Sequence, residues 1–298
     1  LVNAKHGVDV YLIRDERPKP LVLMLGGSGC VPLFTVDPDR TFHGTTIFED
    51  LVLLRRGQYH FAVIEKQGVK PLEFKPGVTR EQEMSRFKEV QNGACTPAYY
   101  KEETEVVRAE DALAAVQAIS AEPWVRQVFV VGHSEGSLVV AGVIRRDVRH
   151  AVAAGALFSS AGPTQFYGGS ETRESLKKTF ETMQMLQHAD DDFMYEGHAA
   201  RRWKSYALDA TPLDNVRDSK APLYVAYGGR ERNLHAGDLF VLEALRQQPT
   251  RALRYVVVED GDHGFSSSDG RAHFAEVFDD FLAWALNPQR ATSVEVLR

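Results

Sequence analysis

Short runs of β-branched and apolar residues alternate along the chain with longer amphipathic ones, the arrangement expected of helices packed on a mostly parallel sheet. The strand candidates are Val8 to Arg14, Leu21 to Leu25, His60 to Glu65, Val128 to Gly132, Ala153 to Phe158, Leu223 to Tyr227 and Arg254 to Glu259. Val128-Phe129-Val130-Val131 has no polar alternation, which predicts a strand buried on both faces. Glu102 to Ser120 carries Val106, Ala109, Leu113, Val116 and Ile119 close to the i, i+3, i+4, i+7 spacing of a helix. Glu102, Glu103 and Glu105 fall in the first turns, where the helix dipole favours negative charge, and Pro123 ends it. Ser137 to Arg146, Ala236 to Gln247 and Ala272 to Leu286 predict further helices, the last stopping near Pro288.

Two stretches break this rhythm. Lys66 to Tyr100 is polar and rich in Pro and Gly, which predicts a long ordered loop with one helix from Thr79 to Val90. Pro163 to Arg217 is helical in composition between two strands, and is expected to be a helical cap inserted into a single domain spanning residues 1–298. Met183, Met185, Leu186, Phe193, Met194, Trp203 and Tyr206 suit adaptable apolar contacts, so Met183, Trp203 and Tyr206 are candidates for lining a substrate pocket. Gluing the cap to the main domain is the alternative use of the same residues.

Composition narrows the class. The chain has 298 residues, 44% of them hydrophobic, and a net charge of −6 from 35 basic and 41 acidic side chains, which excludes disorder and coiled coil. There is no basic run of the kind that binds nucleic acid, and no apolar stretch nears the roughly 20 residues that cross a bilayer, so the chain reads as soluble. It begins at Leu1, so a removed signal peptide stays open. The two cysteines, Cys30 and Cys95, either pair, implying an oxidising compartment, or remain buried thiols.

The chemistry centres on Gly132-His133-Ser134-Glu135-Gly136, a G-x-S-x-G run that follows the most buried strand and opens a helix. Such a turn holds a serine out of the sheet in a strained conformation, and the flanking glycines let strand and helix approach without clash. A serine hydroxyl is a weak nucleophile, so it needs a base and a group that fixes the tautomer of that base. His263, in the loop after the last strand, is the candidate base, because open α/β sheets bind ligands at strand C-terminal ends. His133, His198 and His235 are secondary candidates for substrate contact. Glu231, after the Leu223 to Tyr227 strand, is the candidate acid, with Asp238 as rival and Asp214 or Asp218 behind it. An oxyanion hole needs two N–H donors. Glu135 can supply one, and the Gly26-Gly27-Ser28-Gly29 turn the other, through Ser28 or its neighbour Gly27. That turn is not a phosphate loop: it lacks the G-K-[ST] ending, and Pro32 breaks G-x-G-x-x-G.

These residues together resemble the α/β-hydrolase superfamily, in the order nucleophile, acid, histidine. The likeness runs from Val8 to Leu286, and within the superfamily it is to bacterial serine carboxylesterases and related peptidase-like hydrolases. It implies an α/β fold with a mostly parallel sheet and an inserted cap, and a hydrolase that cleaves small-molecule carboxylic esters through an acyl-enzyme. An amidase, peptidase, thioesterase or acyltransferase with the same triad is the alternative, and a non-catalytic ligand-binding member of the fold is a second. Gly26-Gly27 stands where many members have His-Gly, and Glu231 where Asp is commoner. The serine nucleophile argues against dehalogenase and epoxide hydrolase chemistry, which attacks through a carboxylate. No metal-ligand spacing is present and no cofactor is needed. Arg201, Arg202 and Lys204 either attract a substrate carboxylate or form a solvated face. Oligomeric state is not legible.

Overall fold

A computed structural model describes residues 2–3, 6–39, 41–44, 49–69, 72–79, 81–82, 96–162, 172–217, 219–288 and 293–297. In chain order the strands are β1 (Val2–Asn3), β2 (Asp9–Ile13), β3 (Lys19–Leu25), β4 (Phe34–Val36), β5 (Phe42–Gly44), β6 (His60–Ile64), β7 (Leu72–Glu73), β8 (Val125–His133), β9 (Val152–Phe158), β10 (Met194–Tyr195), β11 (His198–Ala199), β12 (Leu223–Gly228), β13 (Leu253–Val258) and β14 (Ser293–Leu297). The helices are α1 (Glu49–Arg55), α2 (Pro97–Glu102), α3 (Glu105–Ser120), α4 (Glu135–Arg146), α5 (Arg173–His188), α6 (Ala200–Lys204), α7 (Pro212–Arg217), α8 (Leu234–Gln247) and α9 (Phe274–Ala285), with a π-helical turn over Ser205–Asp209.

Nine strands form the main sheet in the order β1-β2-β6-β3-β8-β9-β12-β13-β14. The pairs β1·β2 and β2·β6 are antiparallel, and every later pair is parallel. Alternation along each strand divides the core between the two faces. Leu21, Leu23, Val128, Val130 and Val225 pack with Ala109, Val139 and Phe240 of α3, α4 and α8. Val22, Met24, Phe129, Val131 and Val256 pack with Leu51 of α1 and with Phe274, Phe278 and Phe281 of α9. The chain is thus an α/β hydrolase fold, with helices on both faces of a mainly parallel sheet.

The departures from the expected elements have local causes. The helix expected over 102–120 begins at Glu105, because Thr104 caps it, its hydroxyl accepting the Val107 N–H at 3.2 Å, while Glu102 is the last residue of α2. The helix after β8 starts at Glu135 rather than at 137, directly on the turn. The Ser293–Leu297 strand was not expected from the sequence; its alternating Val and Glu make a half-exposed edge strand paired with β13. Within the expected 66–100 loop lie β7 and the start of α2, while most of the expected 79–90 helix falls outside the described residues.

Between β9 and β12 the described chain carries α5, α6, the π-helical turn and α7, with the β10–β11 hairpin between α5 and α6. Tyr206 and Val216 belong to the apolar cluster of α3 and α4, so the second half of this segment packs on the sheet and its helices. Cys30 is disulfide-bonded, and Cys95, the other cysteine, lies outside the described residues. Among the described residues no helix is long and apolar enough to cross a membrane.

Candidate active site

The C-terminal ends of β3, β8, β12 and β13 each carry one expected part of the site: the Gly26–Cys30 turn, Ser134, Glu231 and the His263 loop. Ser134 joins β8 to α4 with φ 55° and ψ −129°, a region that non-glycine residues rarely enter, at a cost of about 1–3 kcal/mol. The surroundings hold it there. Its N–H donates to the Phe158 carbonyl at 2.8 Å and its carbonyl accepts from the Ser137 N–H at 2.9 Å. Ser137 Oγ bonds the carbonyls of Gly132 and Phe158. The glycines on either side are required by space: a Cβ on Gly132 would lie 2.2 Å from the Gly136 backbone, and one on Gly136 would lie 2.2 Å from the Leu25 carbonyl oxygen.

His263 Nδ1 lies 3.0 Å from Glu231 Oε2. A carboxylate only accepts, so Nδ1 carries the proton and Nε2 keeps a free lone pair. The hydrogen bond to Glu231 is the main cause that raises the His263 pKa above its ordinary value, against the opposing effect of burial. Glu231 is held in turn by the Gly228 N–H, which donates to Oε1 at 3.0 Å. The rival acid Asp238 is committed elsewhere, accepting from the Tyr255 hydroxyl at 2.7 Å.

His133 braces this loop. Its ring packs 5.0 Å from the His263 ring, and its Nε2–H donates to the His263 carbonyl at 2.8 Å. Burial lowers its pKa, so it stays a neutral donor. Phe265 and Phe274 complete the packing around it.

Gly27 also abuts the serine: a Cβ there would stand 3.2 Å from Ser134 Cβ and 3.7 Å from its Oγ. Ser28 is exposed on the same turn. Glu135 is the first residue of α4, so its N–H has no acceptor within the helix and lies at the positive end of the dipole.

Beneath the turn is a buried ionic cluster that the sequence reading did not assemble. Arg108 donates to Glu135 Oε1 at 2.9 Å, to the Gly26 carbonyl at 2.6 Å and to the Tyr206 hydroxyl at 3.2 Å. Arg202 donates to Glu103 at 2.6 Å and also pairs with Glu135. Lys66 donates to the Gly29 carbonyl, and Glu65 accepts the Leu33 N–H at 2.9 Å. Burial opposes charge on all of these. On Glu135 the neighbouring Arg202, Arg108 and Lys66 outweigh it and lower the pKa. On Glu103 burial and the Glu135 charge win, pushing it up to about 7, and burial brings Lys66 down to about 8. Arg108 alone of these carried a signal in the sequence, a charge on the helix face that also bears Ala109, Ala112 and Val116 of the core.

Tyr206 is fully buried in that cluster rather than on an open wall. Trp203 packs on Tyr195 and His198 and donates from Nε1 to the Tyr195 carbonyl at 3.0 Å. Met183 is half-buried on α5, whose one fully buried side chain is Leu186. The basic run is not free to attract a substrate carboxylate: Arg202 is buried against Glu103 and Glu135, Arg201 pairs with Asp192, and Lys204 with Asp191. His198 is half-buried beside Arg202, its pKa brought down to about 4 chiefly by burial, and His235 is exposed near Asp238. Among the described residues no group of three His, Cys, Asp or Glu is placed to hold a metal ion.

The sequence profile of the prolyl oligopeptidase family matches residues 98–289, a span that includes Ser134, Glu231 and His263 but begins after the Gly26–Cys30 turn. No curated protein sequence matches the chain. Among solved structures, dipeptidyl peptidase 4 of Porphyromonas gingivalis aligns with a TM-score of 0.58 at 16% identity, over 97% of this chain and 35% of its own. Acylaminoacyl peptidase of Pyrococcus horikoshii aligns at 0.57 and 14%, over 96% of this chain and 40% of its own. Est1E of Butyrivibrio proteoclasticus, solved with ferulic acid bound, aligns at 0.59 and 12%, over 96% of this chain and 99% of its own. The chain therefore spans well under half the length of the two peptidases and nearly all of Est1E; at these identities the likeness is one of fold.

Proposed function

The chain belongs to the prolyl oligopeptidase family, and from that premise we propose that it is a serine hydrolase whose triad is Ser134, His263 and Glu231 and whose substrates are carboxylic esters. Ser134 Oγ bonds to the acyl carbon while His263 Nε2 takes its proton, and Glu231 stabilises the imidazolium that forms. The N–H groups of Glu135 and of the Gly27–Ser28 turn receive the negative charge on the carbonyl oxygen. His263 returns the proton to the leaving alcohol as the C–O bond breaks. Water, deprotonated by the same nitrogen, then releases the acid.

The observation that carries this reading is the strained backbone of Ser134 on a turn flanked by His133, whose ring packs against His263, itself held by Glu231 at 3.0 Å. In this reading the described part of the cap, residues 172–217, contributes Met183 and Trp203 to the acyl pocket. Family membership supports peptide cleavage as a second reading, since the acyl-enzyme is shared and only the leaving group differs.

The test is labelling by a fluorophosphonate, with turnover of p-nitrophenyl esters from acetate to palmitate and of aminoacyl p-nitroanilides, in the wild type and Ser134→Ala. Labelling and ester turnover that vanish in Ser134→Ala are expected. An anilide kcat/KM above that of every ester selects the peptidase reading, and a folded protein that takes no label overturns both.

A further inference from the structure

A buried ionic cluster is weak evidence for stability. Buried ion pairs are commonly replaceable by apolar residues at no loss, because desolvation offsets their attraction. Here three cations and three carboxylates are buried, and Arg108, Lys66 and Glu65 each bond the backbone of the segment from Gly26 to Leu33, at Gly26 O, Gly29 O and Leu33 N.

The direction of one of these bonds matters for the chemistry. In a planar trans peptide the N–H of Gly27 points opposite to the C=O of Gly26. The Gly26 oxygen is turned down toward Arg108, 2.6 Å away, and toward the start of α4, where it would lie 2.9 Å from a Cβ on Gly136. The Gly27 N–H is thereby turned the other way, on a residue that abuts Ser134. The same guanidinium holds the side chain of Glu135, the residue that offers the second donor. A planar fork can bridge two acceptors in fixed directions, which an ammonium cannot do.

We propose that Arg108 is a positioning residue for the oxyanion hole, fixing the Gly26–Gly27 peptide so that the Gly27 N–H, rather than that of Ser28, is the donor paired with Glu135 N–H. This rests on the serine hydrolase reading above. Arg108 does not touch the substrate. It acts through the backbone it holds, and Arg202 and Lys66 support it by fixing Glu135 and the far end of the turn.

The experiment compares Arg108→Met, Arg108→Lys and Arg146→Met with the wild type on a p-nitrophenyl ester. Arg146 makes a comparable ion pair, with buried Glu105, and touches no part of the turn. Each protein is titrated for reactive Ser134 with a fluorophosphonate, and kcat, KM and the inhibition constant of a trifluoromethyl ketone, which forms an anionic hemiketal, are measured per reactive site.

Loss of one oxyanion donor costs about 10²–10³-fold, so Arg108→Met is expected to lower kcat on the order of 10²-fold. KM should stay within about threefold and ketone affinity should fall in step with kcat. Arg108→Lys should recover part of the loss, and Arg146→Met should keep kcat per site while losing stability. Equal effects of Arg108→Met and Arg146→Met, or an Arg108 loss confined to the number of reactive sites, would overturn the proposal. If the Arg108 variants do not fold, amide NMR of the wild type decides: ketone binding should move the Gly27 amide proton downfield, and a shift at Ser28 with Gly27 unmoved overturns it. Wild-type protein unlabelled at Ser134 defeats the functional reading itself, which the Arg108 comparison alone does not.

Discussion

Replacing Glu231 by Gln tests the acid of the triad in its most specific form, because size and burial are retained and only the pattern of donors and acceptors changes. The native carboxylate faces two donors: Gly228 N–H reaches Oε1 at 3.0 Å and His263 Nδ1–H reaches Oε2 at 3.0 Å. A glutamine has a single acceptor oxygen for these two donors. If that oxygen serves the fixed backbone N–H of Gly228, the amide NH2 faces His263 and compels Nδ1 to accept. The imidazole proton then moves to Nε2, and the lone pair that should take the serine proton is gone. The reverse orientation sets NH2 against the Gly228 N–H in a site where the Glu231 side chain is 1% exposed, leaving buried donors unpaired at about 1–3 kcal/mol. The first arrangement is the cheaper. Wrong-tautomer substitutions of this kind lower kcat by about 10⁴-fold, or about 5.4 kcal/mol at 1.36 kcal/mol per decade. The assay is kcat on p-nitrophenyl acetate, with circular dichroism to show that the fold is kept and Asp238→Asn as the parallel variant. Glu231→Gln activity within tenfold of wild type would refute the assignment. A large loss in Asp238→Asn with Glu231→Gln unaffected would transfer the role to Asp238.

His263 must be neutral to act as base, and its pKa is raised above the ordinary histidine value first by the Glu231 hydrogen bond. The acid limb of kcat/KM in a pH–rate profile should therefore lie above about 6.5, and in Glu231→Gln what activity remains should show that limb moved to lower pH; an unmoved limb would separate Glu231 from His263. The linkage to stability runs the other way: a raised folded-state pKa contributes stability below the ordinary value that is lost as pH rises through the raised one. Gly136→Ala should destabilise the protein by about 1–3 kcal/mol or more, because the added Cβ meets the Leu25 carbonyl oxygen at 2.2 Å and backbone cannot yield cheaply. Gly57→Ala, with open space around the added methyl group, is the comparison in urea denaturation, and similar midpoints for the two would contradict the packing argument.

What could be read along the chain was whatever depends on neighbours in sequence. The buried strands were legible from apolar runs such as Val128 to Val131, and α3, α8 and α9 from spacing on one helical face, because burial selects side chains with the period of the element. The turn at Ser134 was legible because strand, strained serine and clearance glycines lie within five consecutive residues, and Glu231 and His263 were candidates by their place after a strand. Only the tertiary structure decided what those positions do to one another. The choice of Glu231 over Asp238 at His263 Nδ1 depends on how the loops after β12 and β13 meet across the sheet edge. The ionic cluster joins residues from the end of the β6 segment, just after Ile64, with the α2–α3 junction, α3, α4 and α6, and only the convergence of those elements brings its charges together. The same holds for Arg202 and Tyr206: a basic or aromatic residue in an inserted segment can face water, substrate or core, and desolvation with its pairing partners settles which.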